Sequence, residues 1–137
     1  MSLNFLHDFQ LKLYNVLNSE QEIKQLIDKI YLSVVQDAKY PFLLINIIRA
    51  SNLSKFGHEI YEIGFEICVF VRDKNQENLT ILASLINKKL NSINLNAVGY
   101  IIAGIRSGII NFERSQDLLT TKLIMNYQAL IKQEFDL

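Results

Sequence analysis

The chain has a single cysteine, Cys68, in 137 residues, which excludes an intrachain disulfide and any multi-cysteine zinc site. It has one proline, Pro41, five glycines, and no Pro/Gly/Ser-rich linker, low-complexity tract or internal repeat, so it reads as one domain over residues 1–137. Tryptophan is absent, and the aromatics are not interleaved with basic residues as in a base-stacking surface. Fourteen Lys and Arg balance fourteen Asp and Glu, whereas a protein that grips phosphate backbones carries a basic excess. Zero net charge suits a subunit that packs against its own copies without self-repulsion. No apolar run nears the ~18 residues a membrane span needs. The run 42–48 is broken by Asn46 and has strand length. Asn4, His7 and Asp8 interrupt the first nine residues, so no signal peptide is expected. These features fit a soluble, intracellular protein.

What is present is apolar residue in quantity, half of the chain, set in two alternating periods. At this length roughly 70% of the unfolded surface can be buried, enough for one core. Leu6, Phe9, Leu13, Val16 and Leu17 recur mostly at spacings of three and four, the stripe of a helix. Ser19 and Glu22 fit a capping box that opens a second helix with the stripe Ile23, Leu26, Ile27 and Ile30. Tyr40-Pro41 marks a boundary before a strand at 42–49, and 50–57 reads as a polar loop. In 61–72, Tyr61, Ile63, Phe65, Ile67, Val69 and Val71 alternate with a mostly polar set, which predicts a strand with one core face. After a polar turn at 73–78, Leu79, Leu82, Ala83, Ile86, Leu90 and Ile93 form a third helical stripe. Residues 98–105 read as a strand, 109–112 as its continuation after the break at Ser107-Gly108, and 114–117 as the turn that follows. The last strand sets Leu119, Thr121, Leu123, Met125, Tyr127, Ala129 and Ile131 on one face. The expected fold is α+β, a mostly antiparallel four-stranded sheet with helices packed on it, in the order ααββαββ.

Chemistry is weakly signalled. His58 adjoins Glu59, but spacing supplies neither a nucleophile nor a second partner, so both His58 and His7 are expected to be solvated. Cys68 lies on the minor face of its strand with no base in view and reads as a packed thiol. Glu62 and Glu66 share a strand face about 13 Å apart, wider than glycosidase carboxylate pairs. Gly99, Gly104 and Gly108 match no phosphate-binding loop and read as bulges or turns. No catalytic, cofactor-binding or metal residue is assigned, and no enzyme is expected.

One pattern departs from a one-sided sheet. Leu43, Ile45 and Ile47 are apolar opposite Phe42, Leu44 and Ile48, while Cys68, Phe70, Ile124 and Leu130 occupy faces that should be polar. Scattered surface apolars would explain this. So would a second face partly covered by the N-terminal helices or by a neighbouring subunit.

The order of features over residues 6–131 resembles the tail-completion, or tail-terminator, proteins of long-tailed phages and gene transfer agents. The resemblance is carried by Leu11-x-x-Tyr14-x-x-Leu17, Lys29-Ile30-Tyr31 and Ala38-Lys39-Tyr40-Pro41-Phe42. Glu59-x-x-x-Ile63-x-Phe65-x-Ile67-x-Val69-Phe70 and Met125-Asn126-Tyr127 complete it. The chain departs from the family pattern at Val71-Arg72, where an aromatic often follows. The resemblance implies a subunit without cofactor that is cytoplasmic during assembly and then sits in the tail of a virion or phage-like particle. It would close as a ring, commonly a hexamer, on the tail-tube protein and meet the head-connector protein, with DNA only passing through the lumen and no membrane contact. The loop 50–57 and the stretch 105–117 are the expected contact regions. Other readings are a head-completion or neck protein, or a small α+β ligand-binding domain or enzyme.

Overall fold

The computed structural model describes residues 3–55, 57–72, 76–92 and 100–133. Helices α1 (Asn4–Asn18) and α2 (Gln21–Lys24) precede strands β1 (Lys29–Tyr31), β2 (Phe42–Asn52) and β3 (Ile60–Arg72). Helix α3 (Gln76–Ser92) then leads to β4 (Tyr100–Arg114) and β5 (Thr120–Gln133). The strands form one five-stranded sheet in the order β1-β2-β3-β5-β4. All pairings are antiparallel except β1 with β2, which is parallel.

The α+β class and the two long hairpins agree with the sequence reading, but the strand count does not. Residues 29–31 form a fifth strand, which makes the sheet mixed and the order ααβββαββ. The helix expected through Ile30 stops at Lys24. Ile30 instead puts its side chain into the core from β1, 8% exposed. A three-residue strand with one buried side chain has no alternation to detect, and Ile23, Leu26, Ile27 and Ile30 mimic a helical stripe by spacing alone. The capping box also fails to form. The N-cap of α2 is Glu20, and the Ser19 hydroxyl donates back to the Val16 carbonyl at 2.9 Å. Residues 50–52, expected in a loop, continue β2.

The core lies between one face of the sheet and the helices. Phe5, Phe9, Leu13 and Leu17 of α1 and Leu79, Leu82, Ile86 and Leu90 of α3 are buried against Ile63, Phe65, Ile67, Val69 and Val71 of β3. The face of β5 from Thr121 to Ile131 is buried with them, but Leu119 falls outside the strand and is half exposed. Phe9 meets Phe65 edge-on at 5.3 Å, and Phe65 stacks on Tyr127 at 5.3 Å. The Tyr127 hydroxyl donates to Asn87 Oδ1 of α3 at 3.1 Å, which satisfies the polar end of a buried ring. The Gln10 amide of α1 donates to the carbonyls of Leu32 and Ile45, which ties the helix to β2.

Candidate interaction surface

Because α1 packs on the core face, the N-terminal helices do not cover the opposite face of the sheet. At one end of that face Phe42 stacks on Phe70 with rings 4.5 Å apart and nearly parallel. Tyr31 and Tyr40 add ring contacts to Phe42, and Arg72 lies 4.1 Å over the Tyr40 ring. Leu44, Cys68 and Ile124 occupy one row of the register beside this cluster, with Leu44 and Cys68 buried. The apolar residues on the minor face of 42–49 and 61–72 therefore pack mainly against one another and the 31–40 segment.

Towards the other end the same face becomes polar and concave. Arg49 pairs with Gly64, Gly64 with Gln128, and Gln128 with Arg106, so one row crosses β2, β3, β5 and β4. The next row holds Asn46, Glu66 and Asn126, with Asn46 donating to Glu66 at 3.2 Å. Asn126 bonds the Ile109 carbonyl at 3.1 Å and pins the bulge at Gly108 and Ile109. Ile48 and Ile109 stand at the sides of a half-open trough of about 660 Å³ floored by these rows.

The edge strand β4 differs from the rest of the sheet. Bulges at Ala103 and at Gly108-Ile109 divide it, as glycines 104 and 108 suggested, yet it runs unbroken through Ser107-Gly108. Gly99 and Ile93 lie outside the described residues. Two core rows run out into solvent on β4. Ile45, Ile67 and Met125 are buried, but Ile110 in the same row is 49% exposed. Leu43, Val69 and Leu123 are buried, but Phe112 is 66% exposed. The turn beyond adds exposed Leu118 and Leu119, with Leu118 at φ +62°, a left-handed conformation that a branched side chain rarely takes. Its geometry is set by Asp117, which accepts the Leu119 N–H at 3.0 Å and bonds the Ser115 hydroxyl. The expected contact stretch 105–117 thus forms an exposed strand and turn, whereas 50–57 is split between strand and a tight Lys55–His58 bridge.

The histidines, Cys68 and the paired glutamates do not converge. His7 and His58 are exposed, the first on α1 and the second in the bridge that precedes β3. Burial, with the Glu66 carboxylate beside it, pushes the Cys68 thiol up to about 12, so the thiolate a nucleophile needs is suppressed. Glu62 pairs with Arg49 at 3.6 Å and Glu66 with Asn46, so the two carboxylates have separate partners. Among the described residues no three His, Cys, Asp or Glu side chains gather as metal ligands, and no helix is long and apolar enough to cross a membrane. Sequence reasoning missed that Arg49 and Arg106 share one row of the sheet, since residues 57 positions apart are brought to one row only by strand order.

No family model matches the sequence, and no curated protein matches it. Solved structures do share its fold. A chain from the virion of a native gene transfer agent particle superposes with a TM-score of 0.74 at 13% identity, over 90% of this chain and 93% of that one. The bacteriophage SPP1 gp17 protein superposes with a TM-score of 0.61 at 16% identity, over 90% of this chain and 88% of that one. The chain shares the fold of these two neighbours over nearly its whole length.

Proposed function

We propose that the protein is a non-enzymatic structural subunit of a phage-like tail, of the terminator type, that closes as a ring on the tail tube and joins it to the head. The observation that carries this reading is the near-complete structural match to a gene transfer agent virion chain. The exposed end of β4 gives the reading a physical basis. Apolar core rows that end in solvent are completed when another surface covers them. Contact between two different patches of successive subunits generates a closed ring when the rotation closes. The partners are further copies, six in the ring, together with the tail-tube protein and the head-connector protein. DNA passes through the lumen unread, and no cofactor takes part. The site of action is the tail of the particle. An α+β ligand-binding domain would enclose most of its ligand, and the half-open trough suits a protein segment better.

Light-scattering mass across a concentration series, with and without the tail-tube protein of the same genome, tests the proposal. A discrete multiple of 15.9 kDa, or tubes capped at fixed length, is the expected result. A monomer at every concentration that also ignores the tube would overturn it.

A further inference from the structure

The trough on the open sheet face is built around two guanidinium groups. A Cβ added at Gly64 would lie 3.1 Å from Arg49 Cγ and 3.2 Å from its Nε, so the Arg49 side chain lies flat over this glycine. Arg106 reaches in from the opposite side and donates from Nε and Nη2 to the Gln128 amide oxygen. Gly64 and Gln128 are register partners on neighbouring strands, about 4.8 Å apart. The two arginines therefore converge on adjacent positions of one floor. Glu62 takes part of Arg49's charge at 3.6 Å, whereas Arg106 is held by a neutral amide. Ile48 and Ile109 flank the floor, and Asn111 and Asn126 add amides. Converging guanidiniums bind carboxylates by paired, charge-assisted hydrogen bonds.

The chain itself contains a segment of matching chemistry. Gln133, the last residue of β5, is followed by Glu134, Phe135, Asp136 and Leu137, in which acidic and apolar residues alternate. Extended on a partner, Glu134 and Asp136 would face one side about 7 Å apart, one carboxylate for each guanidinium. Their own trough lies behind them along the strand. Gln128 lies five strand residues, about 17 Å, back from Gln133. Asp136 is at most about 11 Å of chain from Gln133, and the chain would first have to reverse direction.

We infer that the Arg49–Arg106 trough of one subunit receives the acidic segment Glu134–Asp136 of a neighbouring copy. Such a contact joins two different surfaces, as a closing ring requires. It rests on the reading of the chain as a subunit that associates with its own copies, and it names the surfaces that meet.

The test titrates full-length protein, dilute enough to be monomeric, with a synthetic peptide of residues 130–137. The Arg Nε–H and Gly64 amide resonances are followed. Saturable shifts at Arg49, Arg106 and Gly64 are expected. Affinity should fall at least about tenfold for the peptide carrying Glu134→Gln and Asp136→Asn, and equally for protein carrying Arg49→Gln and Arg106→Gln. Both arginines are solvent-exposed, so circular dichroism should show these variants folded. Gly64→Ala, which lifts Arg49 off the floor, gives an independent second variant and should also weaken binding. Equal binding of the neutral peptide, shifts confined to other regions, or none at millimolar peptide would overturn the inference. Inorganic phosphate shifting the same resonances with equal affinity would also overturn it, by showing a general anion site. Failure of the peptide while the protein still caps tubes would sink this contact alone. Peptide binding without tube capping would sink the tail reading instead.

Discussion

Strands β3 and β4 are both long, apolar and antiparallel to β5, yet they meet opposite fates. β3 is paired on both edges, and from Ile63 to Val71 only Glu66 and Phe70 escape burial. β4 is paired on one edge, and beyond Ile105 every one of its residues is exposed. Its Ile101, Ile109, Ile110 and Phe112 would pass for core residues in any hydropathy profile. Apolar content is thus a property of the sequence, while burial is a property of what covers it. Helices α1 and α3 cover β3 and the start of β4, where Tyr100 is buried against Phe5, and stop short of its far end. The two bulges twist and interrupt the free edge, which guards an exposed strand against indiscriminate pairing. An edge that is both apolar and protected suits a partner of defined shape.

The comparison is broken most forcefully at the centre of β3. Phe65 is 1% exposed between Phe9 and Tyr127. Phe65→Ala should destabilise the fold by about 3–5 kcal/mol, through lost transfer energy and the cavity left behind. Thermal unfolding followed by circular dichroism should show a fall in Tm of more than about 10 °C. A shift of a degree or two would mean that the packing around α1 and β5 is far looser than its geometry indicates.

The buried half also makes stability fall in alkali. Burial, then Glu66, pushes Cys68 from 9.0 to about 12, and burial pushes Tyr127 from 10.0 to about 12. Tyr100 moves in the same direction, through burial and then Asp8. In each case the folded state keeps a proton that the unfolded chain has released, so unfolding becomes easier as pH rises. Stability contributed by these groups is fully present below about pH 9 and is lost progressively towards about pH 12. Denaturant melts at stepped pH should show this decline, and Cys68→Ala should delay its onset towards the tyrosine range. A profile unchanged by Cys68→Ala would mean that the thiol is solvated in the folded protein.

How much of this was legible in the sequence follows the same division. Every buried residue of β3 and α3 that lies in a periodic run could be read directly, because period two or a three-four stripe has no competing explanation there. β1 could not be read, since its one buried side chain, Ile30, continues the spacing of a helix that ends at Lys24. The Ser19–Glu22 capping box was a correct pattern with the wrong outcome, because Ser19 bonds Val16 within the preceding helix end instead. The exposure of β4 was hidden for a different reason. No local feature tells an isoleucine under a helix from one beyond its end. The trough was hidden as well, because strand order alone brings Arg49 and Arg106 to one floor.

The smallest effect on stability is expected where the effect on assembly is largest. Phe112 is 66% exposed at the end of a core row, so Phe112→Ser removes little buried surface. Its stability cost should be within about 0.5 kcal/mol, as for other surface substitutions. Ile110, 49% exposed beside buried Met125, has more to lose, and Ile110→Ser should cost about 1 kcal/mol. If these side chains complete their rows on a neighbouring surface, both variants should lose self-association or tube capping in light scattering while melting close to the parent. The two readouts separate the candidate explanations. A large drop in Tm would make β4 part of the folded core. Normal assembly of both variants would make its apolar edge an ordinary protein surface and move the subunit contact to the opposite face of the sheet, around Phe42 and Phe70.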